Sequence, residues 1–194
     1  HRAMSRTWVL LFAVGCGSST AAPADDVMVS LASVTLGEDC GGKLPAPAAT
    51  DDAQDRKRAP KGDSDALASS DTGCAQTSMT LSVTTHPKLA TTAVKIKKVE
   101  LLDDKGKLLE TLTASKASKW AGKAYVPWNE SVAANEKLVA SYLLTTPNWS
   151  KVGGRRAATS KKFQLRVTLD IGGKNKAIDK KVTAAAFMDP QIDT

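Results

Sequence analysis

Chemistry in this chain has few residues to draw on: three cysteines, two histidines, four tryptophans and two tyrosines among 194 positions. A Ser–His–Asp or Cys–His arrangement would have to rest on His86, because His1 precedes the first methionine, Met4. His86 closes an apolar alternation and is followed by Pro87, which makes it a turn residue rather than a catalytic base. A zinc or copper site needs several His and Cys side chains at short spacing. Neither Cys40 nor Cys74 has a histidine nearby or a CxxC partner. Asp103-Asp104 could open a calcium loop, but Lys105 and Lys107 follow at once and the EF-hand spacing is missing, so a plain turn is expected. Gly153-Gly154-Arg155-Arg156 lacks the Lys-Ser/Thr of a phosphate loop. These positions predict no catalytic residue, no metal and no cofactor: the chain is not expected to be an enzyme.

From Met4 the chain reads as an export signal. Arg6 supplies a basic start, Trp8 to Val14 an apolar run of seven residues, and small residues follow. Crossing a bilayer takes about 20 apolar residues, so this run does not span one. Ala13-Val14-Gly15-Cys16 resembles the lipobox of bacterial lipoproteins, with Ala13 where that family usually has Leu. The resemblance implies a signal peptide over 1–15, a lipid on the Cys16 sulfur and a flexible tether over 16–25. Gly17 after the cysteine resembles the outer-membrane sorting pattern. Two or more acyl chains anchor stably at ~0.8 kcal/mol per buried methylene, whereas one holds only marginally. The lipid bilayer is then a partner. Cleavage after Ala24, within Ala22-Pro23-Ala24, is the alternative and would release a free secreted protein.

Export bears on the other two cysteines. An even pair in an oxidising compartment is expected to join, so Cys40 and Cys74 are predicted as a disulfide. Between them, 41–73 is rich in Gly, Pro, Ala, Asp and Ser without apolar periodicity, and reads as a disordered acidic insert. Ten acidic residues face five basic ones from Asp25 to Gly73, whereas twenty basic face ten acidic from Cys74 onward. A net charge of +7 alone would suggest nucleic acid, but an exported protein does not meet it, so no nucleic-acid partner is expected.

The residues that stand out for binding are aromatic. Trp120, Tyr125, Trp128 and Trp149 fall within thirty residues, beside Lys, Gly, Pro and Asn and off any strong apolar alternation. Rings at loop tips with polar neighbours suit sugar-binding or protein-binding surfaces, because ring faces stack while the neighbours hydrogen-bond. These four are the candidate ligand-binding residues; plugging the end of a core is the competing use of each ring. Lys95, Lys97, Lys98, Lys161 and Lys162 add positive surface, most of it explained by solvated strand faces and the rest by an anionic envelope polymer.

The scaffold for these residues is legible as strands. Val27 to Leu36 alternates but switches face midway, as an edge strand with a bulge would, and Val94 to Leu102 changes face in the same way. Met79 to Thr84 alternates cleanly. Asp103 to Gly106 forms a hairpin turn into Leu108–Thr113. Leu138, Ala140, Tyr142 and Leu144 share one face, and so do Phe163, Leu165, Val167, Leu169 and Ile171. A last strand is predicted near Ala177 to Ala184, and no segment has a helical face.

About seven short strands without α/β alternation predict an all-β, antiparallel sandwich as a single domain over 26–190. From Val94 the order of pieces is similar to Ig-like or fibronectin-type modules of bacterial surface proteins: a charged turn at Asp103–Gly106, then Trp120, then the Leu138–Tyr142 strand. The expectation is a lipoprotein of the bacterial cell envelope, anchored at the outer membrane. It would act as a non-catalytic binding or structural module, with envelope glycans or other envelope proteins as partners. The alternative is a secreted, unanchored protein that binds a carbohydrate or an anionic polymer.

Overall fold

The computed structural model describes residues 26–41, 44 and 74–186. The signal peptide, Cys16, the tether and nearly all of the acidic insert read from the sequence lie outside them.

Ten strands form among the described residues: β1 (Val27–Thr35), β2 (Ser78–Thr85), β3 (Thr92–Asp103), β4 (Leu108–Leu112), β5 (Ser118–Trp120), β6 (Tyr125–Pro127), β7 (Ser131–Val132), β8 (Lys137–Leu143), β9 (Lys162–Ile171) and β10 (Lys174–Thr183). They make two sheets ordered β1-β2-β8-β5-β6 and β10-β9-β3-β4, with β7 paired to β3. Every strand pairing is antiparallel. Among the described residues, helical structure is limited to a 3-10 turn, Trp149–Val152, and one α-turn, α1 (Arg155–Ala158). The all-β antiparallel sandwich expected from the alternation is what forms. β9 shows the cause most plainly, since Phe163, Leu165, Val167, Leu169 and Ile171 are buried and the residues between them are not.

Both face switches are bulges. The β1–β2 register shifts between Leu31 and Ser33, leaving Ala32 as the extra residue, and the β3–β9 register shifts between Ile96 and Lys98, leaving Lys97. The bulges keep apolar residues inward on both sides of each break, so Val27, Val29 and Leu31 join Val94, Val99 and Leu101 in one core. The stretch that reads as loop from 118 to 132 instead contains β5, β6 and β7. At two or three residues each they are too short for alternation to register.

One end of the sandwich is closed covalently. Cys40 and Cys74 form a disulfide, with Cα atoms 5.9 Å apart, joining the chain that leaves β1 to the chain that enters β2. Backbone bonds make the same closure: Glu38 N donates to Ala75 O at 2.8 Å, and Thr77 N to Glu38 O at 2.9 Å. Gly37 is required here, because a Cβ at that position would lie 1.7 Å from the Ala75 carbonyl oxygen. Leu36 also bridges in parallel to Ala184, which ties the first sheet to the second.

Candidate functional site

The structure distributes the four candidate rings over three places. Trp149 is a clasp at the disulfide end. Its indole N–H donates to Gly37 O at 3.2 Å, and its ring lies 6.0 Å from that of Phe163. The Arg155 guanidinium sits over the ring, 5.0 Å from its centre, donates from Nη2 to Ala185 O at 2.6 Å, and pairs through Nε with Glu38 at 3.7 Å. These partners make Trp149 part of the fold's closure.

Trp120 and Tyr125 face each other across the β5–β6 hairpin, in an edge-to-face pair with centroids 5.1 Å apart. Ser118 is in register with Ser141 of β8, so Trp120, two residues on, lies on the same outward face of the sheet. Ser141 Oγ donates to the Tyr125 hydroxyl at 3.2 Å and is 3.2 Å from Thr80 Oγ1, which runs a line of hydroxyls across the sheet to the ring pair. The other positions on this side are Met28, Ser30, Ser33 and Thr35 on β1, Ser78 (itself buried, like Ser141), Ser82 and Thr84 on β2, and Val139 and Leu143 on β8. Among these strands one outward residue, Lys137, is charged. Met28 is 64% exposed.

The opposite sheet presents a different surface. Lys162, Arg166 and Asp170 of β9 and Asp179 and Lys181 of β10 point outward, and the ions pair with one another. Arg166 Nε bonds Asp179 at 2.9 Å, Lys97 pairs with Asp170 at 3.4 Å, and Lys98 with Glu100 at 2.6 Å. Lys161, itself exposed, donates to Val152 O at 2.6 Å. The lysines singled out in the sequence therefore do not form one unpaired basic patch.

Trp128 lies in a third place, 6% exposed, beside a cleft of about 640 Å³ between the sheets. Ile96, Val99 and Leu112 line one part of the cleft and Pro127 and Trp128 another, with Glu130 and Tyr142 completing it. The Trp128 N–H donates to Ser131 O at 3.1 Å, so its ring offers the cleft apolar surface. The Tyr142 hydroxyl has no hydrogen-bond partner. Burial, with the charge of Glu130 second, raises the Tyr142 phenol above the ordinary tyrosine range, so it remains a neutral donor. Glu130 and Tyr142 were not marked by sequence reasoning. Tyr142 falls in register with Leu138 and Ala140 and reads as core; a hydroxyl within that alternation, which needs a partner when buried, is the signal that could have found it.

His86 is an exposed turn residue whose Nδ1 accepts from Lys88 N at 3.4 Å. Among the described residues no three His, Cys, Asp or Glu side chains converge as a metal would require. Comparison with protein-family models, curated proteins and solved structures finds no match to this chain, so what the site can do is read from its own geometry.

Proposed function

We propose that this chain is an exported lipoprotein of the bacterial envelope, held at the outer membrane through an acylated Cys16, whose sandwich is a non-catalytic binding module. Its finer fold is Ig-like. In support, β1, β2, β8 and β5 on one sheet and β3, β9 and β10 on the other follow the A-B-E-D and C-F-G order of that architecture, with β4 beside β3 as an additional edge. The Cys40–Cys74 bridge supports an oxidising compartment.

The observation that carries the binding reading is the contrast between the two outer faces. One is ionic, with Lys97, Lys98 and Arg166 paired to carboxylates. The other is nearly uncharged, hydroxyl-rich, and flanked by the Trp120–Tyr125 pair. A flat hydroxyl surface with an aromatic pair suits a neutral glycan, whose C–H faces pack on rings while its hydroxyls exchange hydrogen bonds. It gives an anionic polymer little to grip, because Lys137 is the one outward charge on its strands, and on the other face Lys97 and Lys98 already have carboxylate partners.

The test is a glycan array probed with the full mature chain and with Trp120→Ala and Tyr125→Ala. Binding to neutral glycans, weakened tenfold or more by either change, supports the reading at an expected ~1–3 kcal/mol per stacked ring. An empty array together with co-purification of an envelope protein complex would instead favour a structural role. Intact mass from a native membrane fraction tests the anchor: a mass starting at Cys16 with acyl chains supports it, and an unlipidated mass starting at Asp25 overturns it.

A further inference from the structure

The two sheets part where β3 bulges at Lys97, and the cleft beside that bulge holds three features that packing alone leaves unexplained. Tyr142 is 1% exposed, yet its hydroxyl bonds to nothing. A buried hydroxyl without a partner opposes folding, and native proteins rarely keep one without a use for it. Glu130 adopts φ 55, a left-handed backbone that costs a glutamate strain, while its carbonyl is fastened by Val94 N at 2.8 Å. Its carboxylate has no hydrogen bond or ion pair among the described residues. The Trp128 indole, its N–H already bonded, lines the same space with its ring.

We propose that this cleft binds one neutral sugar ring, packed by its C–H face on Trp128 and donating hydroxyl protons to the Glu130 carboxylate, with a shift of the lining that uncovers the enclosed Tyr142 hydroxyl to pair with a sugar oxygen. The inference rests on the glycan reading above and narrows it, from a face that holds a chain to a pocket that takes a single unit.

Other guests fit less well. An anion would meet Glu130, and the neighbouring Lys97 and Lys98 are held by Asp170 and Glu100. A wholly apolar guest would bury both the carboxylate and the phenol without partners. A simple amine would answer Glu130 but must pass Lys97, Lys98 and Lys116 at the lining and would leave Tyr142 unpaired. A polyhydroxylated ring satisfies the carboxylate, the phenol and the indole together, in a cleft of the size that small-molecule sites have. The cleft also adjoins the proposed glycan face. Strand β6 and the residue after it join them, with Tyr125 on the outward face and Pro127 and Trp128 lining the cleft at the strand's end.

The test is titration of the full mature chain with glucose and with N-acetylglucosamine as free monosaccharides, followed by tryptophan emission and saturation-transfer NMR. The expected result is saturable binding of one or both. Tyr142→Phe and Glu130→Gln should each weaken it about fivefold or more, while Lys174→Gln, on the exposed start of β10, leaves it unchanged. A melting temperature for Tyr142→Phe at or above the parent's separates lost binding from lost folding. Absence of binding by either sugar overturns the cleft, as does affinity unchanged in both Tyr142→Phe and Glu130→Gln. If Trp120→Ala removes binding and those two variants keep it, the glycan face stands and the cleft fails. If the array and both monosaccharides are all negative, both readings fail.

Discussion

Lys180 of β10 reaches across the sandwich edge to place its ammonium 2.9 Å from the carbonyl oxygen of Leu31 on β1. The same Nζ lies 2.6 Å from the carbonyl of Ala32, the extra residue of the β1 bulge. A bulge takes carbonyls out of the ladder, and β1 is an edge strand with no further neighbour in its sheet to accept them. The lysine supplies the missing donors and links the two sheets. Lys180→Met keeps the aliphatic stem and removes the donors, so it should cost about 1–2 kcal/mol in urea unfolding with an unchanged slope. Lys181→Met, one residue on and exposed, should cost less than about 0.5 kcal/mol. Equal effects at the two positions would show that the ammonium contributes nothing.

That contact marks the limit of what the sequence reveals. The bulge itself is readable, because the apolar set in Val27–Leu36 changes parity and only an inserted residue keeps both halves inward. The same holds for Ile96 and Val99 around Lys97. What is not readable is which distant side chain serves the bulge: Lys180 is one of twenty lysines, and nothing local distinguishes it. The aromatic group shows the same division. Trp120, Tyr125, Trp128 and Trp149 are neighbours in sequence, yet their destinations depend on the hairpin, the inter-sheet gap and the 3-10 turn. Trp149's hydrogen-bond partner, Gly37, comes from a remote part of the chain, as does Ala185, which holds the Arg155 stacked on its ring. Tyr142 is hidden for the opposite reason: its alternation is so regular that its hydroxyl passes as core.

Tyr142→Phe should stabilise the ligand-free protein. It removes an unpaired buried hydroxyl while keeping the ring that fills the space, so a gain of about 1 kcal/mol is expected. Calorimetry on the free protein reads this directly. A loss of stability would mean that the hydroxyl already has a partner in solution, an ordered water being the simplest.

The same tyrosine sets an alkaline limit. Its folded pKa is raised, first by burial and then by Glu130, above the ~10 of a tyrosine in the unfolded chain. Below that unfolded value both states keep the proton and the stability contribution is complete. As pH rises past it the unfolded chain ionises while the folded one still holds its proton, so stability falls progressively toward the folded pKa. Melting temperature plotted from pH ~8 upward should therefore bend down near pH ~10 in the parent and bend less in Tyr142→Phe. Superimposable curves would remove Tyr142 as the cause.

The disulfide and Gly37 close the same end by different means. Cys40 and Cys74 are 34 residues apart, and a crosslink over such a loop restricts the unfolded chain by about 3–4 kcal/mol on the entropy model. The Cys40→Ser/Cys74→Ser double variant should lose stability of that order and keep its sheets, since the Glu38–Ala75 and Thr77–Glu38 backbone bonds remain. Gly37→Ala leaves the crosslink intact and drives a methyl into the Ala75 carbonyl, which must separate those strands. Its cost should be about 2–3 kcal/mol or more, and hydrogen exchange should show protection lost at Glu38 and Thr77 while β9 stays protected. Wild-type protection at Glu38 and Thr77 in Gly37→Ala would mean the end can relax around a side chain.

Trp149 and Trp120 should separate most clearly when both are cut to alanine. Trp149 holds Gly37 O, packs on Phe163 and carries the Arg155 guanidinium, whose Nε and Nη1 make no hydrogen bond and depend on that ring and on Glu38 for compensation. Removing the indole uncovers a largely buried cation and opens a cavity at the disulfide end, at a cost of about 3 kcal/mol. Trp120 is partly exposed on a short hairpin and touches chiefly Tyr125, so its loss should cost about 1 kcal/mol. If function follows this division, Trp120→Ala gives a folded protein that binds glycan poorly. Trp149→Ala gives a less stable one whose binding, measured well below its melting temperature, is intact. The reverse pattern, with Trp149→Ala stable and binding lost, would move the recognition surface to the disulfide end of the sandwich.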